Sequence, residues 1–235
     1  MQYVMLVRVD PDLAGTVEID DVEPWVAEGS RTGMRLQGDP VDEPATATTV
    51  RVRDGEVLLS DGPFAETKEI VAGYDLLEAP DLERALDYAA RHPVARIGAL
   101  EVREVWDEFV PDREGGVPPA RTEGRDYLFL HHPDPVVVQR ADRADADPTA
   151  WVRGVEDSGA TLGGARLRDA DPGTAATVRA REEGVLVSRG PFAELAEEIA
   201  GIDLIRAADL DEAIAIAAAH PTSRIGAIEV RPFPA

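Results

Sequence analysis

Residues 62–103 read GPFAETKEIVAGYDLLEAPDLERALDYAARHPVARIGALEVR, and residues 190–231 read GPFAELAEEIAGIDLIRAADLDEAIAIAAAHPTSRIGAIEVR. The two stretches align without a gap at an offset of 128 residues. Upstream the match is looser but persists, with Trp25 corresponding to Trp151. A period this long is not that of a solenoid, and it predicts two copies of one small domain in tandem.

Length and charge limit the kinds of partner that fit this chain. Its 235 residues accommodate two domains of about 110 residues each. The net charge is −22, and both halves are acidic, with 24 acidic and 10 basic residues in 1–108 and 22 and 14 in 109–235. We therefore expect neither a nucleic-acid partner nor an anionic membrane surface. With no cysteine and no signal-peptide pattern at the amino terminus, the cytoplasm is the expected location.

The first repeat carries the patterns of strands and helices in the order β-α-β-hairpin-β-α-β. Strict alternation over 48–53 followed by Asp54-Gly55 predicts a tight hairpin with 57–59. Asp81 is the predicted N-cap of a helix that His92-Pro93 ends. The other predicted elements are a helix over 20–31 and strands over 2–9, 34–36, 70–78 and 98–105.

This order predicts an α+β fold of two tandem ferredoxin-like domains of the dimeric α+β barrel type. The domains are predicted at 1–108 and 125–235, joined by a proline- and glycine-rich linker at 109–124. A four-stranded sheet with helices on one face needs a cover for its other face, and the tandem copy supplies one. We therefore expect an intramolecular pseudo-dimer, with a further homodimer as an open alternative.

Several stretches of the first repeat resemble the YCII-related (DGPF) family. They are the run DGPFAETKE at 61–69, Gly73-Tyr74, the helix start at 81–85, Glu101-Val102-Arg103 and ATATTVRVRDG at 45–55. The second repeat resembles the family from Thr174 onward. The resemblance implies the dimeric α+β barrel architecture that muconolactone isomerases and small monooxygenases also use, and by analogy an enzymatic role.

Better-studied relatives are thought to use a His–Asp pair that follows the first strand. The first repeat has no histidine before His92, so the resemblance does not carry that pair over to it.

The loop after the hairpin holds the candidate site residues of the first repeat. Asp61 and Lys68, the single lysine of the chain, are the catalytic candidates, because a carboxylate beside an ammonium can form an acid–base pair. Glu66 and Glu69 are the ligand-binding candidates. The structural alternative is that Asp61 caps the Gly-Pro turn while Glu66 and Lys68 form a solvated ion pair.

Comparison of the repeats favours a site in the first one. Asp61 is replaced by Arg189 and Lys68 by Ala196, whereas the Gly-Pro-Phe triplet recurs at 190–192. Residues that the fold needs are expected in both copies, and residues that chemistry needs can survive in one. We therefore expect the site in the first repeat and a scaffold in the second, and the recurring Trp25 and Trp151 in the cores.

The four histidines have structural interpretations. His92 and His220 each precede proline at a helix end, where a cationic ring complements the helix dipole. His131 and His132 are neighbours after a strand and point to opposite faces, so they do not readily bind one metal ion together. With Asp134 interpreted as a loop residue, we expect no metal site and no cofactor.

Three functions remain open from the sequence. The first is a small-molecule enzyme of isomerase, lyase or hydrolase type. The second is a non-catalytic module that binds a metabolite, and the third is an interaction protein. A deep pocket favours the first two, and an exposed apolar patch favours the third.

Overall fold

The computed structural model describes residues 1–14, 16, 19–64, 69–109, 120–139, 147–190, 192 and 198–234. The strands are β1 Gln2–Val9, β2 Arg35–Pro40, β3 Thr48–Arg53, β4 Glu56–Asp61, β5 Ile70–Glu78, β6 Ala99–Phe109, β7 Arg125–Pro133, β8 Thr161–Leu167, β9 Ala175–Arg181, β10 Gly184–Arg189, β11 Gly201–Ala207 and β12 Gly226–Pro232. The helices are α1 Pro11–Ala14, α2 Ile19–Thr32, α3 Leu82–Ala89, α4 Pro135–Val138, α5 Thr149–Asp157, α6 Leu210–Ala219 and α7 Thr222–Ile225, with 3-10 turns at Pro44–Thr46 and Pro93–Arg96.

The chain forms an α+β structure with antiparallel strands, as the sequence predicts. The hairpin of β3 and β4 turns at Asp54 and Gly55, whose φ angles of 53° and 81° are those of a tight two-residue turn. Asp81 caps α3 by accepting a hydrogen bond from the amide of Arg84. In the second repeat Asp209 caps α6 in the same way through the amide of Glu212. Local sequence signals therefore set these element boundaries.

The chain folds into two compact units. Each unit combines most of one repeat with the hairpin of the other repeat. Unit 1 comprises Met1–Val41, Ala65–Trp106 and Leu167–Ala196. Unit 2 comprises Asp42–Phe64, Asp107–Arg166 and Glu197–Ala235. The predicted segments 1–108, 109–124 and 125–235 follow the sequence repeats, whereas the compact units interleave them.

Both units have the same strand order. In unit 1 the order is β2-β5-β1-β6-β9-β10, where β9 joins β6 with Leu100 opposite Val178. In unit 2 it is β8-β11-β7-β12-β3-β4, where β3 joins β12 with Val50 opposite Ile228. The hairpin of each repeat therefore extends the sheet that the other repeat begins.

Each unit has its own apolar core. The core of unit 1 gathers Tyr3, Met5, Trp25, Leu77, Leu86, Val102 and Val178, and the core of unit 2 gathers Tyr127, Phe129, Trp151, Ile205, Ile228 and Val50. Full burial of a large apolar side chain stabilises a fold by roughly 1.5–3 kcal/mol. Both tryptophans belong to these cores, as the sequence predicts. The hairpin residues Val178 and Val50 also lie in them, so burial of their side chains stabilises the exchanged arrangement.

Within the described part of the chain, none of the helices combines the length and the apolarity that crossing a membrane requires.

Candidate functional site

Of the four site residues that the sequence predicts, the structure describes Asp61 and Glu69, which belong to different units. Asp61 ends β4 with an exposed side chain in unit 2. Glu69 is buried in unit 1, where its Oε1 accepts a hydrogen bond from the guanidinium of Arg179 at 2.5 Å. Glu66 and Lys68 lie outside the described residues. The roles of these residues remain predictions, but Glu69 has an ion-pair partner on the exchanged hairpin.

The Gly-Pro-Phe triplet anchors each exchanged hairpin with an aromatic ring. Phe192 is buried in unit 1, with the Arg8 guanidinium 4.5 Å from its ring centre. Phe64 stacks on His132 in unit 2 at 4.3 Å between ring centres. The amide of Phe64 also donates a hydrogen bond to Glu229 Oε2 at 2.9 Å. These contacts agree with a structural role for the recurring triplet.

A cluster of polar groups lies instead in unit 2, between β7 and β11. His131 lies opposite Gly201 in the strand register, and Asp203 is two positions further along β11. Positions two apart on a strand share a face, so both side chains point to the same side of the sheet. His131 Nε2 and Asp203 Oδ2 are 2.7 Å apart, and both residues are 8% exposed. His132 points to the opposite face, as the sequence predicts.

The contact between His131 and Asp203 is an electrostatic one. The carboxylate oxygen lies off the direction that a linear hydrogen bond to Nε2 would need. A carboxylate this close to Nε2 favours the proton on that nitrogen. Among the described residues, none forms a hydrogen bond with Nδ1 of His131, a residue that lines a cavity. Nδ1 is therefore available to a ligand.

A third member of the cluster, His220, follows α6. Its Nδ1 accepts a hydrogen bond from the amide of Thr222 at 3.0 Å. Its ring stands edge-on to the rings of His131 and Trp151, with centres 4.4 and 4.5 Å apart. Burial, with smaller contributions from His131 and Arg224, lowers the pKa of His220 to about 2. The ring is therefore neutral.

The first repeat contains the same arrangement at His92. Its Nδ1 accepts a hydrogen bond from the amide of Val94 at 3.1 Å, and burial lowers its pKa to about 4. The prediction that His92 and His220 complement a helix dipole as cations is therefore wrong. Both rings are buried and accept an amide hydrogen bond, which favours the neutral form.

The cluster borders a cavity of about 470 Å³ in unit 2. The cavity is bordered by the polar cluster, by Trp151, and by the charged residues Arg153, Glu156 and Arg166. The apolar part of the lining includes Pro148, Val152, Ala165, Ala200 and Ile202. A volume of this size suits a small organic molecule.

The carboxylate of Asp203 depends on a glycine in the neighbouring strand. A Cβ added to Gly164 would lie 2.2 Å from Asp203 Oδ1, closer than two atoms can approach. Gly38 stands in the same relation to Asp75 in unit 1, also at 2.2 Å. The glycine on each strand therefore makes the room for the carboxylate.

The donor chemistry of the cluster argues against a metal centre. One atom each from His131, Asp203 and His220 lie within 4.8 Å of one another. However, Nδ1 of His220 already accepts an amide hydrogen bond, so the ring proton is on Nε2 and neither nitrogen offers a lone pair. A metal ion would have two protein ligands from this set, fewer than the three or four that zinc sites use.

Unit 1 also has a cavity of about 470 Å³ beside Trp25, but its lining does not include the counterparts of the polar cluster. Val7 is the counterpart of His131, and Asp75, the counterpart of Asp203, forms an ion pair with Arg35 at 2.6 Å. Tyr88 stacks on Trp25 with ring centres 4.3 Å apart. The polar cluster with an adjoining cavity therefore belongs to the second repeat.

Comparison of the repeats predicts a scaffold in the second repeat and therefore leaves His131 and Asp203 unpaired. The signal was present, because aligning the repeats places Asp203 at the position of Asp75 and His131 at that of Val7. Pairing the predicted strands antiparallel would have brought the two residues together.

Comparison with known proteins identifies the family. The model of the YCII-related domain matches residues 1–109 and again residues 126–233. The chain is also similar to an uncharacterised protein of Rhizobium meliloti (strain 1021), with 49% identity over 59 residues, which are 24% of this chain and 48% of the relative. This alignment spans about half of the relative's length. With both repeats matched, the chain belongs to the YCII-related family as a tandem duplication of its domain.

Proposed function

We propose that the chain is a small-molecule enzyme of isomerase or lyase type whose acid–base residue is His131 in unit 2. The observation that carries this proposal is the buried contact of 2.7 Å between His131 and Asp203 beside a cavity of about 470 Å³. The His–Asp pair that better-studied relatives are thought to use supports the same assignment.

The arrangement suits proton transfer. Nδ1 of His131 can take a proton from a ligand, and the carboxylate of Asp203 stabilises the imidazolium that forms. Burial strengthens this interaction because the local dielectric constant is low.

The lining of the cavity favours a small organic anion as substrate. Arg153 and Arg166 supply positive charge, Glu156 is a further charged residue of the lining, and Trp151 supplies an apolar wall. Net charge otherwise disfavours anions, since the chain carries −22 overall. The arginines at this cavity therefore favour binding of an anion there rather than elsewhere on the acidic surface.

The test is ¹H NMR of the protein in D₂O with a mixture of small 2-oxo acids, hydroxy acids and lactones. We expect conversion or proton exchange of at least one compound, reduced about 1,000-fold in His131→Asn. His92→Asn, which alters the matching histidine of unit 1, serves as the control and should keep the wild-type rate. A folded His131→Asn variant with the wild-type rate would overturn the proposal.

A non-catalytic metabolite-binding module is the second candidate, and the same cavity with its two arginines favours it. It predicts ligand binding without conversion, with an affinity that His131→Asn leaves unchanged. The mixture above separates the two functions, because saturation-transfer signals without product formation support binding alone.

An interaction role has one supporting observation. The apolar triplets of the two outer hairpin strands, Val57–Leu59 and 185–187, are about half exposed. We propose that these edges take part in a further homodimer, which light scattering across a concentration series would detect. A constant monomeric mass up to millimolar concentration contradicts it.

The hairpin exchange supports a proposed intramolecular pseudo-dimer. A protease site placed within 110–119 would cut the chain between the repeats, and we expect the halves to stay associated.

The absence of nucleic-acid and membrane partners remains a proposal from the net charge, and salt-sensitive retention on duplex DNA would contradict it.

A further inference from the structure

We propose that His220 is a catalytic hydrogen-bond donor, and that the substrate is a carbonyl compound with an acidic C–H bond next to its carbonyl group. This inference rests on the proposed function, because it assigns His131 as the base that removes the proton. It adds the group that stabilises the oxygen on which negative charge develops.

The ring proton of His220 has a fixed position. A neutral imidazole has one protonated nitrogen and one acceptor nitrogen. Nδ1 of His220 accepts from the amide of Thr222 at 3.0 Å, so the proton must be on Nε2. The backbone therefore fixes His220 as an Nε2–H donor.

This donor lies at the cavity of unit 2. His220 is 6% exposed and lines the same cavity as His131 and Asp203. Among the described residues, none accepts a hydrogen bond from Nε2 of His220. An oxygen atom of a ligand in the cavity could accept a hydrogen bond from this donor.

The donor and the base are adjacent. The rings of His131 and His220 meet edge to face, with centres 4.4 Å apart. The available nitrogen of His131 is an acceptor and that of His220 is a donor. Two neighbouring imidazoles with opposite hydrogen-bonding roles suit a ligand that presents a C–H group next to a carbonyl oxygen.

The chemistry balances as an enolisation. Nδ1 of His131 takes the proton from the α-carbon, and the C–H electron pair forms the new C=C bond. The carbonyl π pair moves to oxygen, which accepts the hydrogen bond from Nε2–H of His220. Return of the proton from His131 to oxygen gives the enol, and return to carbon restores the ketone, so no other reactant is needed.

A neutral donor suits this step. The low pKa of His220, about 2, keeps the ring uncharged while His131 becomes cationic. Two adjacent imidazolium ions would repel each other, so a donor that remains neutral does not oppose proton uptake by the base.

The chain contains its own control for a purely structural role. His92 forms the same hydrogen bond with the amide of Val94, but it packs against Trp25 beside Arg35 instead of a second histidine. Asparagine can accept the same amide hydrogen bond two residues on. His220→Asn and His92→Asn therefore keep the backbone interaction, and each removes one imidazole N–H donor.

The experiment uses phenylpyruvate as the substrate probe, because it has a carboxylate, a carbonyl group and acidic C3 protons. Exchange of these protons for deuterium in D₂O is followed by ¹H NMR at pH 7 with the full-length chain. We expect His220→Asn to slow the catalysed exchange about 100-fold, the usual effect of removing one such donor. His92→Asn should leave the rate within twofold of wild type.

The outcomes separate this inference from the proposed function. Exchange that His131→Asn abolishes and His220→Asn leaves unchanged overturns the role of His220 alone. No catalysed exchange of phenylpyruvate in the wild type overturns the substrate class, whereas the metabolite mixture decides the proposed function independently.

A second measurement applies if His220→Asn does not fold. Long-range ¹H–¹⁵N spectra of the wild type report which nitrogen carries the proton in each of the four histidines. We expect His220 to be neutral with Nε2–H from pH 5 to 8, and its Nε2 resonance to shift when phenylpyruvate is added. A proton on Nδ1, or no shift at saturation, overturns the proposal.

Discussion

The two compact units share a strand order and a buried tryptophan. They differ in the surroundings of one acidic residue, which is Asp75 on β5 in unit 1 and Asp203 on β11 in unit 2. In unit 1, Asp75 is bound by Arg35 at 2.6 Å. In unit 2, Asp203 lies 2.7 Å from His131, which lines a cavity. The two repeats therefore have the same strand arrangement but different polar groups at this position. Asp75 is paired with an arginine, whereas Asp203 and His131 line a cavity that a ligand can enter.

Tyr88 packs against the core tryptophan of unit 1. Its ring stacks on Trp25, and its hydroxyl donates a hydrogen bond to the Trp25 carbonyl at 2.8 Å. The counterpart in unit 2 is Ile216, which has no ring or hydroxyl group. In both units the carbonyl at this position accepts a hydrogen bond from the tryptophan indole, at 3.1 Å in unit 1 and 2.9 Å in unit 2. The comparison teaches that a few side chains decide whether this fold presents a site.

The largest expected difference is between Asp203→Asn and Asp75→Asn. We expect Asp203→Asn to lower the turnover of any substrate about 1,000-fold, because the imidazolium of His131 loses its counter-charge. Asp75→Asn should leave turnover per folded molecule within twofold. Rates normalised by near-ultraviolet circular dichroism check this, and equal losses in both variants would contradict the assignment of the site to unit 2.

The anchoring phenylalanines should differ in their contribution to stability. Phe192 is 3% exposed, whereas Phe64 is only half-buried. We expect Phe192→Ala to lower the free energy of unfolding by about 3 kcal/mol, and Phe64→Ala by less, since loss of a buried aromatic ring leaves a cavity. Urea unfolding measures both, and a larger loss for Phe64→Ala would be the contrary result.

Histidine burial predicts a pH dependence of stability. The pKa of His92 is lowered to about 4 in the folded chain, against 6.5 when exposed. Between these values the unfolded chain takes up a proton that the folded chain does not, so stability falls as the pH falls below about 6.5. From pH 7 to 5 this costs about 2 kcal/mol.

The control for this effect is His92→Asn. It keeps an acceptor for the Val94 amide and removes the titrating ring, so its stability should depend less on pH over the same range. Denaturant unfolding at a series of pH values gives the comparison. Identical slopes for both proteins would show that His92 is not the source.

The smallest expected effect is that of Tyr88→Phe. The change leaves the stacking on Trp25 and removes one buried hydrogen bond to its carbonyl, which costs about 1 kcal/mol. Urea unfolding would show the shift in midpoint without a change in slope. An unchanged midpoint would mean that this hydrogen bond does not help to stabilise unit 1.

Local patterns in the sequence predicted much of the fold. The hairpin turn at Asp54-Gly55 and the N-caps Asp81 and Asp209 are short-range features, in which neighbouring residues satisfy one another's backbone groups. Alternating and helical periodicities likewise predicted the strands and helices of each repeat. Repetition over 128 residues predicted two copies of one domain, which the two family matches confirm.

Tertiary structure decided the hairpin exchange. The pairing of β9 with β6 and of β3 with β12 joins residues more than 70 positions apart. An edge strand offers the same backbone groups to either hairpin, so periodicity alone does not choose between them. The choice depends on packing, such as that of Val178 and Val50 in the two cores.

The candidate site depended on tertiary structure for the same reason. The sequence by itself determined that His131 and His132 point to opposite faces and that Asp203 recurs at the position of Asp75. Only the folded chain placed His131, Asp203 and His220 around one cavity, because they come from β7, β11 and the end of α6. Local periodicity fixes the face of each side chain, whereas long-range pairing fixes its neighbours.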